Sequence, residues 1–316
     1  MTSPNFSSRE DAALSHLLRY LRAQQYRFIT ITPLSHAHVI AHRSGQTAAT
    51  LRDIFGWNMA FEKYLLPTET VAILDEAGLF EHIGERLRSK IRVSSIDDAL
   101  FLHSSYPTEQ NDAVFFGPDS YRFVRFIRRA LENAAAPRLR LLDIGCGSGV
   151  GGLMLALRYP ETDLVLNDIN PLALRYAAIN ARAMGLQAQL AAGDSLAAVK
   201  GDFDLIIANP PYLVDKEART YRHGGEGLGR SLSLRMATES LPRLAPGGRL
   251  LLYTGVAIVD GRDEFLHALK PVLNLEGYNW RYEELDPDVF GEELLEPAYE
   301  HVDRIAAVGL TVHRIS

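Results

Sequence analysis

The stretch LLDIGCGSGVGG, residues 141–152, decides the fold. An apolar run ends in Asp143 and passes through Gly145, Gly147 and Gly149 before a helical pattern begins at Val150. Glycines at a strand-to-helix junction let the backbone turn tightly and approach a ligand closely. Because position 150 is Val, the spacing from Gly145 is not G-x-G-x-x-G but D-x-G-x-G-x-G. The difference changes the expected ligand. A dinucleotide puts its pyrophosphate on the helix N-terminus, whereas a preceding Asp repels phosphate and suits an ammonium group.

Working outward, strand-like runs recur at Leu139–Asp143, Leu164–Asn167, Ala188–Ala192, Leu205–Ala208, Arg249–Tyr253, Asn279–Glu283 and Ile305–Val312. Helical patterns occupy 150–158, 171–184, 230–244 and 260–273. This alternation predicts an α/β fold, a doubly wound, mostly parallel seven-stranded sheet covered by helices. Only a loop, 284–304, joins the last two strands, so that pair is expected to be antiparallel. Upstream, helices are expected over 8–24, capped by Ser7 with Glu10, and over 46–55, 68–79 and 119–134. A hairpin is expected at 90–95 and 99–104. The boundary is placed between a mainly helical domain, 1–111, for substrate recognition or as a lid, and a cofactor-binding catalytic domain, 112–316.

The second strand ends at Asp168 and the third at Asp194. At successive strand ends these carboxylates can accept from ribose hydroxyls and from an adenine amine, respectively. With Asp143 they describe an adenosine carrying a cationic tail, which S-adenosylmethionine fits. Each acid alone has a plain structural reading: Asp168 and the adjoining Asn170 fit a helix cap, and Asp194 a turn. Their joint register beside the glycine loop favours the ligand.

The fourth strand runs into Asn209-Pro210-Pro211-Tyr212. Consecutive prolines end a strand and stiffen the segment after it. The Asn209 side-chain carbonyl and the Pro210 backbone carbonyl can both accept from one –NH2 group, and Tyr212 can stack on a planar substrate or face a sulfonium. Aiming a nitrogen lone pair at a methyl carbon is an orientation effect, worth on the order of 7–11 kcal/mol, and needs no metal.

Composition narrows the field. The 316 residues carry 33 Lys+Arg, 39 Asp+Glu and a single Cys, with 47% hydrophobic residues. One Cys excludes a disulfide framework or a cysteine-rich zinc module. The opening MTSPNFSSRE does not read as a secretory signal, and no apolar run reaches the ~20 residues of a membrane span, so a cytoplasmic location is expected. Residues 1–137 hold 15 basic and 15 acidic side chains, so the net charge of −6 belongs to the remainder, 18 basic against 24 acidic. A protein or small-molecule substrate is therefore favoured over nucleic acid. Arg122, Arg125, Arg128 and Arg129 on an aromatic-bearing helix are the one counter-signal, and they read better as snorkelling side chains. His36, His38 and His42 lack a neighbouring acid or Cys to complete a metal site and read as exposed or capping histidines.

DIGCGSG (143–149), NDIN (167–170), GDS (193–195) and NPPY (209–212) together resemble class I S-adenosylmethionine-dependent methyltransferases. The similarity is to the small-domain group that holds HemK-type protein-glutamine N-methyltransferases and adenine- or guanine-amino methyltransferases, and HGGEGL (223–228) is similar to a glycine-rich segment of the HemK type. The resemblance implies S-adenosylmethionine as cofactor, bound by Asp143, Gly145, Cys146, Gly147, Gly149, Asp168, Ile169, Asp194, Ser195 and Asn209. It implies Asn209, Pro210 and Tyr212 as the catalytic set. Where HemK-type enzymes carry a proline-arginine-proline-glutamate-threonine-like element, this chain has VFFGPDSYRF (114–123), so Phe116, Asp119 and Tyr121 are candidates for a substrate or lid contact. Three activities are compatible with these motifs: methylation of a planar amide or amine, of an rRNA or DNA amino group, or cyclisation of the cofactor itself to azetidine-2-carboxylate with release of methylthioadenosine.

Overall fold

A computed structural model describes residues 9–108, 110–132, 139–215, 219 and 221–315; the Ser7 cap falls outside them. The N-terminal part comprises helices α1 (Arg9–Ala23), α2 (Pro33–His42), α3 (Leu51–Phe55) and α4 (Thr68–Glu76), then hairpins β1 (Phe80–Ile83) with β2 (Arg86–Ser89) and β3 (Ile91–Ile96) with β4 (Ala99–Ser104). Leu14, Leu17, Leu18 and Leu21 bury one face of α1, at ~1.5–3 kcal/mol each. Three details depart from the sequence reading. Helix α3 starts only at Leu51, because Thr50 and Asp53 form a capping box inside the expected run. Helix α2 went unread because His36 is its one buried residue. The β1–β2 hairpin is largely polar, with Glu81, His82, Ile83 and Arg86 exposed.

After α5 (Pro118–Ala130) the chain alternates through β5 (Arg140–Ile144), α6 (Val150–Arg158), β6 (Asp163–Asp168), α7 (Pro171–Ala183), β7 (Gln189–Ala192) and β8 (Phe203–Ala208). It continues through α8 (Ser231–Ser240), β9 (Leu244–Val259), β10 (Arg262–Asp263), α9 (Glu264–Leu273), β11 (Tyr278–Asp286) and β12 (Arg304–Arg314). The sheet order is β11-β12-β9-β8-β5-β6-β7, with two-residue β10 as an eighth strand beside β9. Strands β7 through β9 are parallel, and β12 runs antiparallel to both neighbours, as expected for the last pair. Chain order reverses at β5, between β6 and β8. Such a reversal opens a crevice at the carboxyl ends of the strands.

Two apolar layers cover the sheet. Phe123, Ile127, Leu153 and Leu174 of α5, α6 and α7 pack on one face, Met236, Phe265 and Leu269 of α8 and α9 on the other. Helix α7 is covered on two sides: Leu174, Ala177 and Ala181 face the sheet, while Ala173, Tyr176 and Ile179 join the core of the N-terminal part, and Pro171 and Arg182 stay exposed. The Asn180 side chain accepts from Leu102 N–H at 3.0 Å, and Arg175 pairs with Asp11 at 2.6 Å. The two parts are thus joined by a packed seam.

Candidate functional site

At the tip of β5 the backbone needs φ values that only glycine adopts without strain. Gly147 lies at φ +54° and Gly149 at +83°. Gly147 N–H donates to Asp168 Oδ2 at 2.8 Å, and Asn170 N–H donates to Asp168 Oδ1 at 2.8 Å. Gly152 N–H donates to Asp143 Oδ2 at 2.8 Å. The two carboxylates therefore shape the loop from beneath while lining the same cavity, of about 370 Å³. Burial pushes the Asp143 carboxyl up to about 7, offset in part by the Gly152 hydrogen bond and reinforced by the charge of Asp168. Asp168 is raised for the same first reason. Among the described residues neither acid has a Lys or Arg partner; the arginines on the cavity lining, Arg222 and Arg235, are paired with Glu293 and Asp194 instead. Asn167 Oδ1, Ser148 Oγ and Ser195 Oγ are buried and without hydrogen-bond partners on the same wall. A cation with neighbouring hydroxyl or amine groups would satisfy this set, and S-adenosylmethionine has both.

Asp194 stands at the rim, where Arg235 grips it through two 2.8 Å hydrogen bonds and holds its carboxyl below the usual range. Ile169 lies beside it on the wall, 57% exposed.

The Asn209–Tyr212 segment lines the same cavity, leaving β8 beside the tip of β5, where Ala208 pairs with Ile144. None of the hydrogen bonds among the described residues uses the Asn209 side chain, which is half-buried. Tyr212 is fixed at both ends. A Cβ at Gly255 would come within 2.1 Å of its ring, and its hydroxyl donates to Asp119 Oδ2. The HGGEGL run braces the same segment: Gly224 N–H donates to Leu213 C=O at 2.8 Å, and a Cβ at Gly224 would lie 2.6 Å from Tyr212 Cα. Phe290 meets the Tyr212 ring edge-on at 5.8 Å.

One cavity thus gathers Asp143, Gly145, Cys146, Gly147, Asp168, Ile169, Asp194, Ser195, Asn209, Pro210, Tyr212 and Asp119. Gly149 is not on its surface; it caps α6, where a Cβ would press on Leu153 at 2.9 Å. Two of the lid candidates need correcting. Phe116 is 1% exposed and stacks on His103 at 5.2 Å, and the Tyr121 hydroxyl accepts from Thr30 N–H at 3.0 Å. Both belong to the seam with the N-terminal part, and Phe115 takes the pocket position. Phe115 stacks with Tyr221 at 6.2 Å, and neither residue stood out in the sequence. Arg235 and Phe290 were likewise unmarked, because they arrive from a helix and a loop distant in the chain.

The histidine trio lies on α2, with His36 buried and His38 and His42 exposed. The arginine helix is largely neutralised: Arg122 pairs with Asp119 and Asp286, Arg128 with Asp97 and Arg129 with Glu283. Among the described residues no helix is long and apolar enough to cross a membrane.

Residues 124–256 match the family model of the methyltransferase small domain. The chain is 40% identical over 113 residues to ribosomal RNA small subunit methyltransferase C of Hahella chejuensis, covering 36% of this chain and 30% of the relative. It is 35% identical over 147 residues to release factor glutamine methyltransferase of Deinococcus radiodurans, covering 43% of this chain and 51% of the relative. The chain therefore spans between about a third and a half of these curated relatives. In fold it is similar to Trm5b from Pyrococcus abyssi, with TM-score 0.50, 15% identity and coverage of 75% of this chain and 62% of that one. Both curated relatives are named as methyltransferases, and the cyclase alternative gains no support from them.

Proposed function

We propose, from the match of residues 124–256 to the methyltransferase small domain and from the order of the sheet, that the protein transfers the methyl group of S-adenosylmethionine to a planar amide or amino nitrogen. The observation that carries this reading is the meeting of two sets of groups in one cavity. One presents buried carboxylates without cations, and the other presents the free acceptor of Asn209.

When bound, the cofactor supplies a methyl group on a positively charged sulfur. Asp143 and Asp168 would hold its cationic and hydroxyl-bearing parts, and the glycine loop would let the backbone approach it. Asn209 Oδ1 and the Pro210 carbonyl would accept both hydrogens of the substrate –NH2 and so fix the direction of its nitrogen lone pair. As positive charge grows on that nitrogen the two acceptors bind it more tightly, which is where stabilisation lowers a barrier. Phe115, Phe290 and the apolar face of Tyr212 exclude water from the reacting atoms.

A protein or small-molecule acceptor is favoured over nucleic acid. Phe290 comes from segment 283–303, which holds nine acids and no Lys or Arg, and that local charge weighs against a phosphate-rich acceptor. The relatives' names, one a glutamine and one an rRNA methyltransferase, supply both acceptor classes to be compared. The test uses tritiated-methyl S-adenosylmethionine and an extract from cells deleted for the gene, separated into protein, RNA and small-molecule fractions. Label is expected in protein or small molecules. Label confined to RNA overturns the acceptor preference, and label in no fraction overturns methyl transfer.

A further inference from the structure

Asp119 lies in the first turn of α5, 5% exposed, and takes part in a three-way convergence. The Tyr212 hydroxyl donates to its Oδ2. The Tyr253 hydroxyl donates to its Oδ1 at 2.8 Å, and Arg122 Nη1 donates to the same oxygen at 3.1 Å. All three partners are donors, and a carboxylate accepts from all of them without needing an acceptor for a proton of its own. The partners come from separate places: Arg122 from the same helix, Tyr253 from the centre of β9 and Tyr212 from the acceptor loop.

We infer that Asp119 is a positioning residue for methyl transfer, which fixes Tyr212 and through it the orientation of the Asn209–Pro210 acceptor pair. The inference rests on the methyl-transfer reading and extends it. Tyr212 is three residues from Asn209, with two rigid prolines between them. Its ring is seated on Gly255, and only its hydroxyl end could otherwise swing. Arg122 extends the hold to Asp286 at 2.9 Å, on the strand leading to the Phe290 loop. One carboxylate thereby ties the entry helix, the acceptor loop and the sheet together beside the pocket.

A merely structural Asp119 would lower stability alike whichever partner is removed. A positioning Asp119 separates them. Asp119→Asn and Tyr212→Phe should each lower kcat about 100-fold, the scale of an ångström's misplacement, with the dissociation constant for S-adenosylmethionine within about 3-fold of wild type. The double variant should be no slower than the worse single, because both changes break one link. Tyr253→Phe removes a donor that does not reach the acceptor loop, and should keep kcat within about 3-fold while melting earlier. Multiplicative losses in the double variant, or equal losses of kcat in Tyr253→Phe and Tyr212→Phe, overturn the proposal.

A second arm needs no acceptor. In protein labelled with 3-fluorotyrosine, the fluorine resonance identified as Tyr212 by its absence in Tyr212→Phe should shift or broaden in Asp119→Asn. An unchanged resonance overturns the link itself. Should wild-type protein label no fraction of the extract, the methyl-transfer reading falls and the kinetic role with it, while the fluorine spectrum still decides whether Asp119 holds Tyr212.

Discussion

Among the described residues the protein buries charge without a counter-charge around Arg92 and at Asp143 with Asp168, and the two places behave differently. In the N-terminal part, Arg92 on β3 is sealed among Tyr26, Tyr106, Tyr121, His36 and His103, and burial lowers its guanidinium to about 10. His36, 1% exposed against it, is pushed down to about 4 by burial and by that charge. In the catalytic part, Asp143 and Asp168 are as poorly compensated, but they border a cavity that a ligand can enter. The difference separates a cost of construction from a binding device. A sealed charge has to be tolerated, whereas a charge facing a cavity can be matched by what binds there.

The comparison can be broken most severely at the acceptor wall. Asn209→Ala removes one of the two acceptors and should cut turnover by roughly 10²–10³-fold with cofactor affinity nearly unchanged. Near-normal turnover would remove Asn209 from the chemistry. Next comes the carboxylate wall. Asp168→Ala should weaken S-adenosylmethionine binding at least ~10-fold, measured by calorimetry, since a charge-assisted contact and the tether to Gly147 N–H are lost together.

The third prediction concerns pH. The Asp143 carboxyl rises from 3.8 to about 7 on folding. The neutral form is thus favoured in the free protein below about pH 7, and its contribution to stability is lost as pH rises through that value. A bound ammonium group favours the ionised form. Cofactor affinity should therefore rise between pH 6 and pH 8 and stabilise the fold most at the upper end. Asp143→Asn should flatten both dependences; an unchanged pH profile in that variant would assign the titration elsewhere. The smallest effect belongs to the sealed charge. Arg92→Met should change unfolding free energy by no more than ~1–2 kcal/mol and leave kcat alone, because replacing a buried ionic group by an apolar one of similar length is often neutral or better. A strong loss of activity would make the N-terminal charge functional and erase the contrast.

Sequence periodicity served well where the chain is buried on both faces. Every expected strand of the main sheet lies within or overlaps an observed one, and the central parallel ones, β5 and β8, are apolar runs bounded by turn residues. It served poorly where one face is exposed and polar, as in α2 and the β1–β2 hairpin. The glycine loop and the other strand-tip motifs were legible because each is local, a turn and its neighbours within a few residues. The clamp on Tyr212 was not. Asp119 and Tyr212 are 93 positions apart, and Asp119 and Tyr253 are 134 apart, so the link exists only once the sheet has closed. Phe115 and Phe116 show the same limit at one-residue scale: two adjacent identical side chains, of which only the fold decides that the first lines the pocket.

The most direct test of the central claim is titration calorimetry of the full chain with S-adenosylmethionine, run at pH 6 and pH 8 in buffers of different ionisation enthalpy. The account predicts saturable one-to-one binding, tighter at pH 8, with protons released on binding near pH 6. Absence of binding, or binding with no proton release at either pH, would contradict a cavity whose unpaired carboxylates await a cationic cofactor.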